Sequence, residues 1–160
     1  MPTYERATVI PADFETVWNF YDDVSELEVL TPDWTGMDVS HAIGPDGDSD
    51  PDGYLEGTEV HLELQPFGLD FLPETEWIVE IVEREVSDDR AVFVDEQRDD
   101  RGPYETWRHT HQFAALGGET LVHDRITYRV PSAGSLPLAH PLLAAMVWHR
   151  HRKTRALLVE

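Results

Sequence analysis

Two histidines in the row Trp107-Arg108-His109-Thr110-His111-Gln112-Phe113 are the side chains best suited to chemistry in this sequence. In a β-strand successive side chains alternate between faces, so Trp107, His109, His111 and Phe113 share one face and Arg108 and Gln112 take the other. The aromatic ends of the row mark the first face as inward. In the following segment, Val122, Asp124, Ile126, Tyr128 and Val130 form the matching face, and Asp124 is its one carboxylate. A buried carboxylate is costly unless hydrogen-bonded, so a partner among His109, His111 or Tyr128 is expected.

Such a cluster has three uses. It can be a satisfied polar group that orients a wall, it can read the polar end of a bound molecule, or it can be a His-Asp pair. In the last case Asp124 fixes the tautomer of His109 or His111, and that imidazole moves a proton. No nucleophile accompanies it: the chain has no Cys, and no Ser stands in a recognisable elbow. The His109-x-His111 spacing also suits zinc, but His123 has the opposite parity from Asp124 and should point outward, so no metal and no cofactor is expected. Asp48, Asp50, Asp52 and Glu59 match the spacing of a calcium loop. Its context is wrong, because Gly44, Pro45, Gly47 and Pro51 interrupt it and a strand pattern, not a helix, follows.

These residues need elements to position them. Residues 4–10 alternate and are β-rich, and Pro11 ends that strand. Phe14, Val17, Trp18 and Tyr21 fall at i, i+3, i+4 and i+7, one stripe of a helix, with Asp13 and Glu15 in its first turn. A second short helix over residues 25–30 is stopped by Pro32, and an extended segment runs on to Ile43. Val60, Leu62 and Leu64 then alternate with Glu59, His61 and Glu63, as in a half-solvated antiparallel strand. Four further alternating segments follow, with turns at Asp88-Asp89, Arg101-Gly102-Pro103 and Gly117-Gly118. A helix over residues 138–158, apolar at Leu142, Met146 and Val147, closes the chain.

This order predicts an α+β fold: a curved antiparallel sheet of about seven strands wrapped around a long C-terminal helix, with two short helices after strand 1. One helix cannot fill the hollow of a bent sheet, so a cavity is expected beneath it, with Trp34, Phe67, Phe71, Trp77, Trp107 and Met146 as candidate linings.

Taken in order, PADFETVWNFYDD, LTPDW, EGTEVHLELQPFGL, VDEQRDDRGPYETWRHTHQF and GGETLVHDRITYRVP resemble the SRPBCC superfamily. These are the START and birch-pollen-allergen-like helix-grip proteins, and the likeness is greatest to the polyketide cyclase/dehydrase-like members. It spans nearly the whole chain and so implies one domain over residues 1–160. It implies a pocket for a lipid, polyketide or aromatic molecule between the long helix and the sheet, but no one reaction, because such proteins include carriers and enzymes. On this reading His109, His111, Asp124 and Tyr128 address the polar end of a small hydrophobic ligand. The alternative is a cyclase, dehydratase or hydrolase with His109 or His111 as general base. A third is a stress or regulatory protein whose pocket controls an interaction.

Composition narrows the setting. The 160 residues carry 12 cations against 32 acids, a net charge of -20, and 11 of the cations are Arg. Nucleic acid is excluded as a partner, since its backbone needs a cationic footprint. The longest apolar-rich run, Leu136 to Trp148, is too short for the roughly 20 residues of a membrane span. A cytoplasmic protein is the simplest expectation. Four cations gather near the C-terminus at Arg150, Arg152, Lys153 and Arg155, as a helix dipole favours.

So acidic a surface repels itself, and molar salt, with a Debye length of about 3 Å, removes most of that penalty. Adaptation to a salt-rich cytosol is therefore expected. The melting temperature should rise from low to molar KCl; a flat dependence would refute the adaptation.

Overall fold

Period-two alternation becomes a single seven-stranded sheet. The computed structural model describes residues 2–47, 53–65, 74–131 and 136–159. Strand β1 (Thr3–Ile10) is followed by helices α1 (Phe14–Tyr21) and α2 (Glu26–Leu30) and a short 3-10 turn (Asp33–Thr35). Then come β2 (Met37–Ile43), β3 (Glu59–Leu64), β4 (Thr75–Val86), β5 (Arg90–Gln97), β6 (Thr106–Leu116), β7 (Glu119–Arg129) and the long helix α3 (Leu136–Leu158). The strands are antiparallel throughout, in the order β1-β7-β6-β5-β4-β3-β2. Register shifts in β2 between Val39 and His41 and in β4 between Ile81 and Glu83 are of the kind that bends strands. The α+β helix-grip arrangement expected from the sequence is the one found.

Local chemistry fixes the two short helices. Asp13 caps α1, its Oδ1 accepting from the Thr16 N–H at 2.8 Å. At the other end of α1, Asp22 takes both terminal nitrogens of Arg84 at 2.8 Å, which ties the helix to β4. Asp22 also accepts the Tyr54 N–H at 3.0 Å. A Cβ at Gly53, whose φ is +95°, would come within 2.6 Å of Asp22 Oδ1, so this approach needs glycine.

The inward face of α3 differs from the expected one. Leu142 is 46% exposed, and the buried stripe is Leu143, Val147, Arg150, His151 and Thr154. That spacing is helical, but the stripe turns polar after one turn. The basic run near the C-terminus is thus not simply a cationic cap, because Arg150 and His151 are turned inward. Tyr21 Oη meets Thr154 Oγ1 at 2.5 Å and ties α1 to α3.

Asp48, Asp50, Asp52, Phe67 and Phe71 lie outside the described residues. Glu59, the last member of the calcium spacing, sits on β3 and is paired with His61 and Arg98. The elements flanking that loop are strands β2 and β3, so the two-helix frame of a calcium hand is missing.

Phe93 on β5 is 2% exposed and lies flat against Tyr54 and His111, with ring centroids at 4.9 and 4.1 Å. Phe93→Ala should lower the unfolding free energy by about 3–5 kcal/mol in urea titration, the loss for an emptied aromatic core site. A loss under about 1 kcal/mol would mean that this stack is not a packed core.

Candidate functional site

Strand parity brings the chemistry together on the concave face. Trp107, His109, His111 and Phe113 of β6 are all buried, as are Val122, Asp124, Ile126 and Tyr128 of β7. His123 takes the other face, where it bonds Gln112. Register sets His111 opposite Asp124 and His109 opposite Asp95 of β5. The short bonds nevertheless run diagonally: His109 Nε2 meets Asp124 Oδ1 at 2.7 Å, and His111 Nε2 meets Asp95 Oδ2 at 2.7 Å. Crossing in this way stacks the two imidazoles with centroids 3.6 Å apart. The remaining ring nitrogens stand farther off, His109 Nδ1 at 3.9 Å from Asp95 Oδ2 and His111 Nδ1 at 3.6 Å from Asp124 Oδ1.

Both carboxylates have a further donor. Trp107 gives its indole N–H to Asp95 Oδ1 at 2.8 Å, and His151 of α3 reaches Asp124 Oδ2 at 2.5 Å. The expected partner of Asp124 was one of His109, His111 or Tyr128; His109 fills that role and His151 adds to it. Tyr128 instead bonds His140 Nδ1 at 3.0 Å. Four participants escaped the sequence reading: Asp95, Glu26, Arg150 and His151. Asp95 shares the parity of Ala91 and Phe93, and that signal was present in the sequence.

A second polar pair lies across the same space. Glu26 of α2 is 3% exposed and stands 3.5 Å from Arg150 of α3, and Tyr54 Oη donates to Glu26 Oε1 at 3.2 Å.

The hollow itself is largely filled. Trp77, Trp107, Phe93 and Tyr54 pack into it and α3 lowers Arg150 across it, leaving a cavity of about 60 Å³. That is room for a few waters at about 10–15 Å³ each, less than the roomy site expected. Met37, Val60, Leu62, Val79, Ile81 and Met146 supply apolar wall, and Asp95, His109, His111, Glu26 and Arg150 supply polar wall. Trp77, Trp107 and Met146 stand in its lining. Trp34 sits in the 3-10 turn and does not, and Asp124 and Tyr128 stand behind the lining. The Trp77 indole N–H and His151 Nδ1 are buried without a hydrogen-bond partner among the described residues.

Burial dominates the electrostatics. It lowers the His111 pKa to about 4, helped by the adjacent His109 and only partly opposed by Asp95. Burial alone would raise Asp95 and Asp124, but the hydrogen bonds and charges of the surrounding histidines win, holding Asp95 below the usual carboxylate range and Asp124 well below it. Glu26 goes the other way, raised by burial to about 7 with Arg150 pulling it back.

These shifts have opposite consequences for stability. Folded His111 refuses a proton that the unfolded chain accepts below pH 6.5, so its contribution is present above that pH and lost as pH falls towards 4. Folded Glu26 holds a proton that the unfolded chain releases above pH 4.5, so its contribution is present at low pH and lost as pH rises towards 7. The two offset each other in the wild type. His111→Gln removes the His111 effect and keeps that of Glu26, so from about pH 7 to about pH 4 the variant should gain about 3 kcal/mol relative to wild type. Urea unfolding across that range checks this, and parallel curves would refute it.

No family model matches the sequence, and no curated protein matches it. Solved structures do. A START superfamily protein from Mycobacterium smegmatis superposes with a TM-score of 0.63 at 12% identity, covering 98% of this chain and 96% of that one. A point mutant of Thalictrum flavum norcoclaurine synthase, in complex with a transition-state analogue, gives 0.64 at 15% identity, covering 99% and 94%. A protein from Chromobacterium violaceum gives 0.68 at 16% identity, covering 99% and 97%. Likeness at such low identity over whole chains is likeness of fold: this chain has the helix-grip fold seen in the START superfamily protein and in norcoclaurine synthase.

Proposed function

We propose that the chain binds a small, mainly hydrophobic molecule in the cavity under α3, with His109, His111 and Asp95 addressing its polar end. One observation carries this reading: an otherwise apolar wall converges on a few buried polar groups, the usual composition of a ligand site. The norcoclaurine synthase complex shows that this fold elsewhere holds a small molecule.

The volume sets a condition. Sites for drug-sized ligands run to about 300–1,000 Å³, so a lipid, polyketide or aromatic ligand enters only by parting the wall. Met37 and Met146 are the side chains to give way, being unbranched and adaptable.

A second reading rests on the Asp124-His109 bond of 2.7 Å. Asp124 orients a ring whose edge lies in the cavity wall, the arrangement of a general base in a cyclase, dehydratase or hydrolase.

Met146→Trp fills the cavity from α3, where the parent side chain is already half-buried. Fluorescence titration with the apolar dye ANS should show affinity falling at least about tenfold in this variant, about 1.4 kcal/mol. Organic extracts of the natively purified wild type should contain a compound missing from those of the variant. Equal dye affinity together with equal extracts would end the binding reading.

A further inference from the structure

We infer that Asp95, His109 and His111 form a three-ligand site for a divalent transition-metal ion, with the open coordination position facing the cavity under α3. The inference rests on side-chain geometry and stands apart from the hydrophobic-ligand reading. One ligand atom from each residue lies within 4.8 Å of the other two, and all three residues are buried. Asp95 Oδ2 is 2.7 Å from His111 Nε2 and 3.9 Å from His109 Nδ1. A tetrahedral ion with bonds of about 2.0–2.1 Å needs donors about 3.3 Å apart, so the two distances bracket the requirement. Adjustments of under about 1 Å would seat an ion.

The outer contacts are already those of a metal site. Ligating histidines turn their other nitrogen to a carboxylate, and ligating carboxylates are hydrogen-bonded in turn. Here His109 gives Nε2 to Asp124 at 2.7 Å, which leaves Nδ1 towards Asp95. Asp124 is held on its other oxygen by His151, and Asp95 on its other oxygen by Trp107 at 2.8 Å. For His109 and Asp95 the atoms not offered to the ion are held by fixed partners, and His111 Nδ1 stands 3.6 Å from Asp124 Oδ1. Two imidazoles and one carboxylate suit zinc, cobalt or iron better than calcium or magnesium. Three protein ligands with a fourth position open to a cavity is the pattern of reactive rather than purely structural zinc sites.

Parity rightly removed His123 from the set, since it faces the opposite side of β7 and bonds Gln112. The third ligand comes from the preceding strand instead, where Asp95 pairs in register with His109.

The test uses metal alone. Cobalt(II) titrated into the intact wild-type protein at neutral pH should bind one ion per chain and give the intense visible bands of a four-coordinate centre, and zinc should displace it. In NMR spectra with zinc, the ring protons of His109 and His111 should shift, while those of the stacked outer pair His41 and His61 stay put. Asp95→Asn should weaken cobalt binding by more than about tenfold, and Asp124→Asn by about tenfold to a hundredfold, the usual effect of losing an outer partner. His41→Gln/His61→Gln should leave affinity unchanged. Unmoved His109 and His111 resonances at excess zinc would overturn the site even if the buried-residue variants failed to fold. So would full affinity in Asp95→Asn. Loss of dye binding in Met146→Trp bears on neither outcome, so the two readings can fail separately.

Discussion

Two carboxylates on the concave side of a sheet set the terms for everything built above it. Asp95 and Asp124 are 9% and 4% exposed, and an ionised carboxylate in such surroundings persists only when donors surround it. Strand β6 lies between β5 and β7, so it alone borders both acids, and its two inward histidines serve one each. That leaves one oxygen on each acid. Trp107 answers for Asp95 from the same strand, whereas no neighbour on the sheet does so for Asp124, and the donor comes from above, as His151 of α3.

The position of the long helix follows from that need. Leu143 and Val147 give α3 a short apolar seat, but beyond them its inward groups are Arg150, His151 and Thr154, bonded to Glu26, Asp124 and Tyr21 respectively. Hydrophobic contact is forgiving about rotation and sliding, while these three partners come from β7, α2 and α1 and must be met together. The helix is therefore held in one register by directional bonds, and one of the side chains that hold it, Arg150, also lines the hollow. An aliphatic stripe in the same place would leave more room and specify the docking less.

The strands were legible because period-two alternation survives in their side chains, and Asp124 stood out as a lone acid in an apolar row. Asp95 carried the same parity signal, but Phe93, Val94 and Asp95 are all buried, and the run VFVDEQ hides its alternation behind that continuous stretch. Arg150 and His151 were not legible at all. A helix is read by seeking apolar residues three and four apart, and in HRHRKTR that rule finds only charge, for which solvent and the helix dipole are the natural explanations. Leu142 was drawn inward by the same rule, although it is exposed. Their true orientation depends on a carboxylate more than twenty residues away in sequence, and local pattern carries no record of it. Trp34 failed for a different reason: large aromatics serve turns as readily as pockets.

The charges around the cavity also limit what can occupy it. Asp95 and Asp124 are kept ionised by their histidines, Glu26 adds a third carboxyl, and Arg150, which lines the same space, is paired with Glu26. His111 is held towards its neutral form, so it offers a lone pair or a single N–H and not a fixed positive charge. An anionic headgroup would meet one already engaged guanidinium and the field of two carboxylates, an arrangement that penalises it. A neutral donor-bearing group or a cation meets complementary charge from the same side chains. The interior of this acidic protein thus repeats in miniature the sign of its net charge, and electrostatic complementarity favours an occupant that brings donors or positive charge.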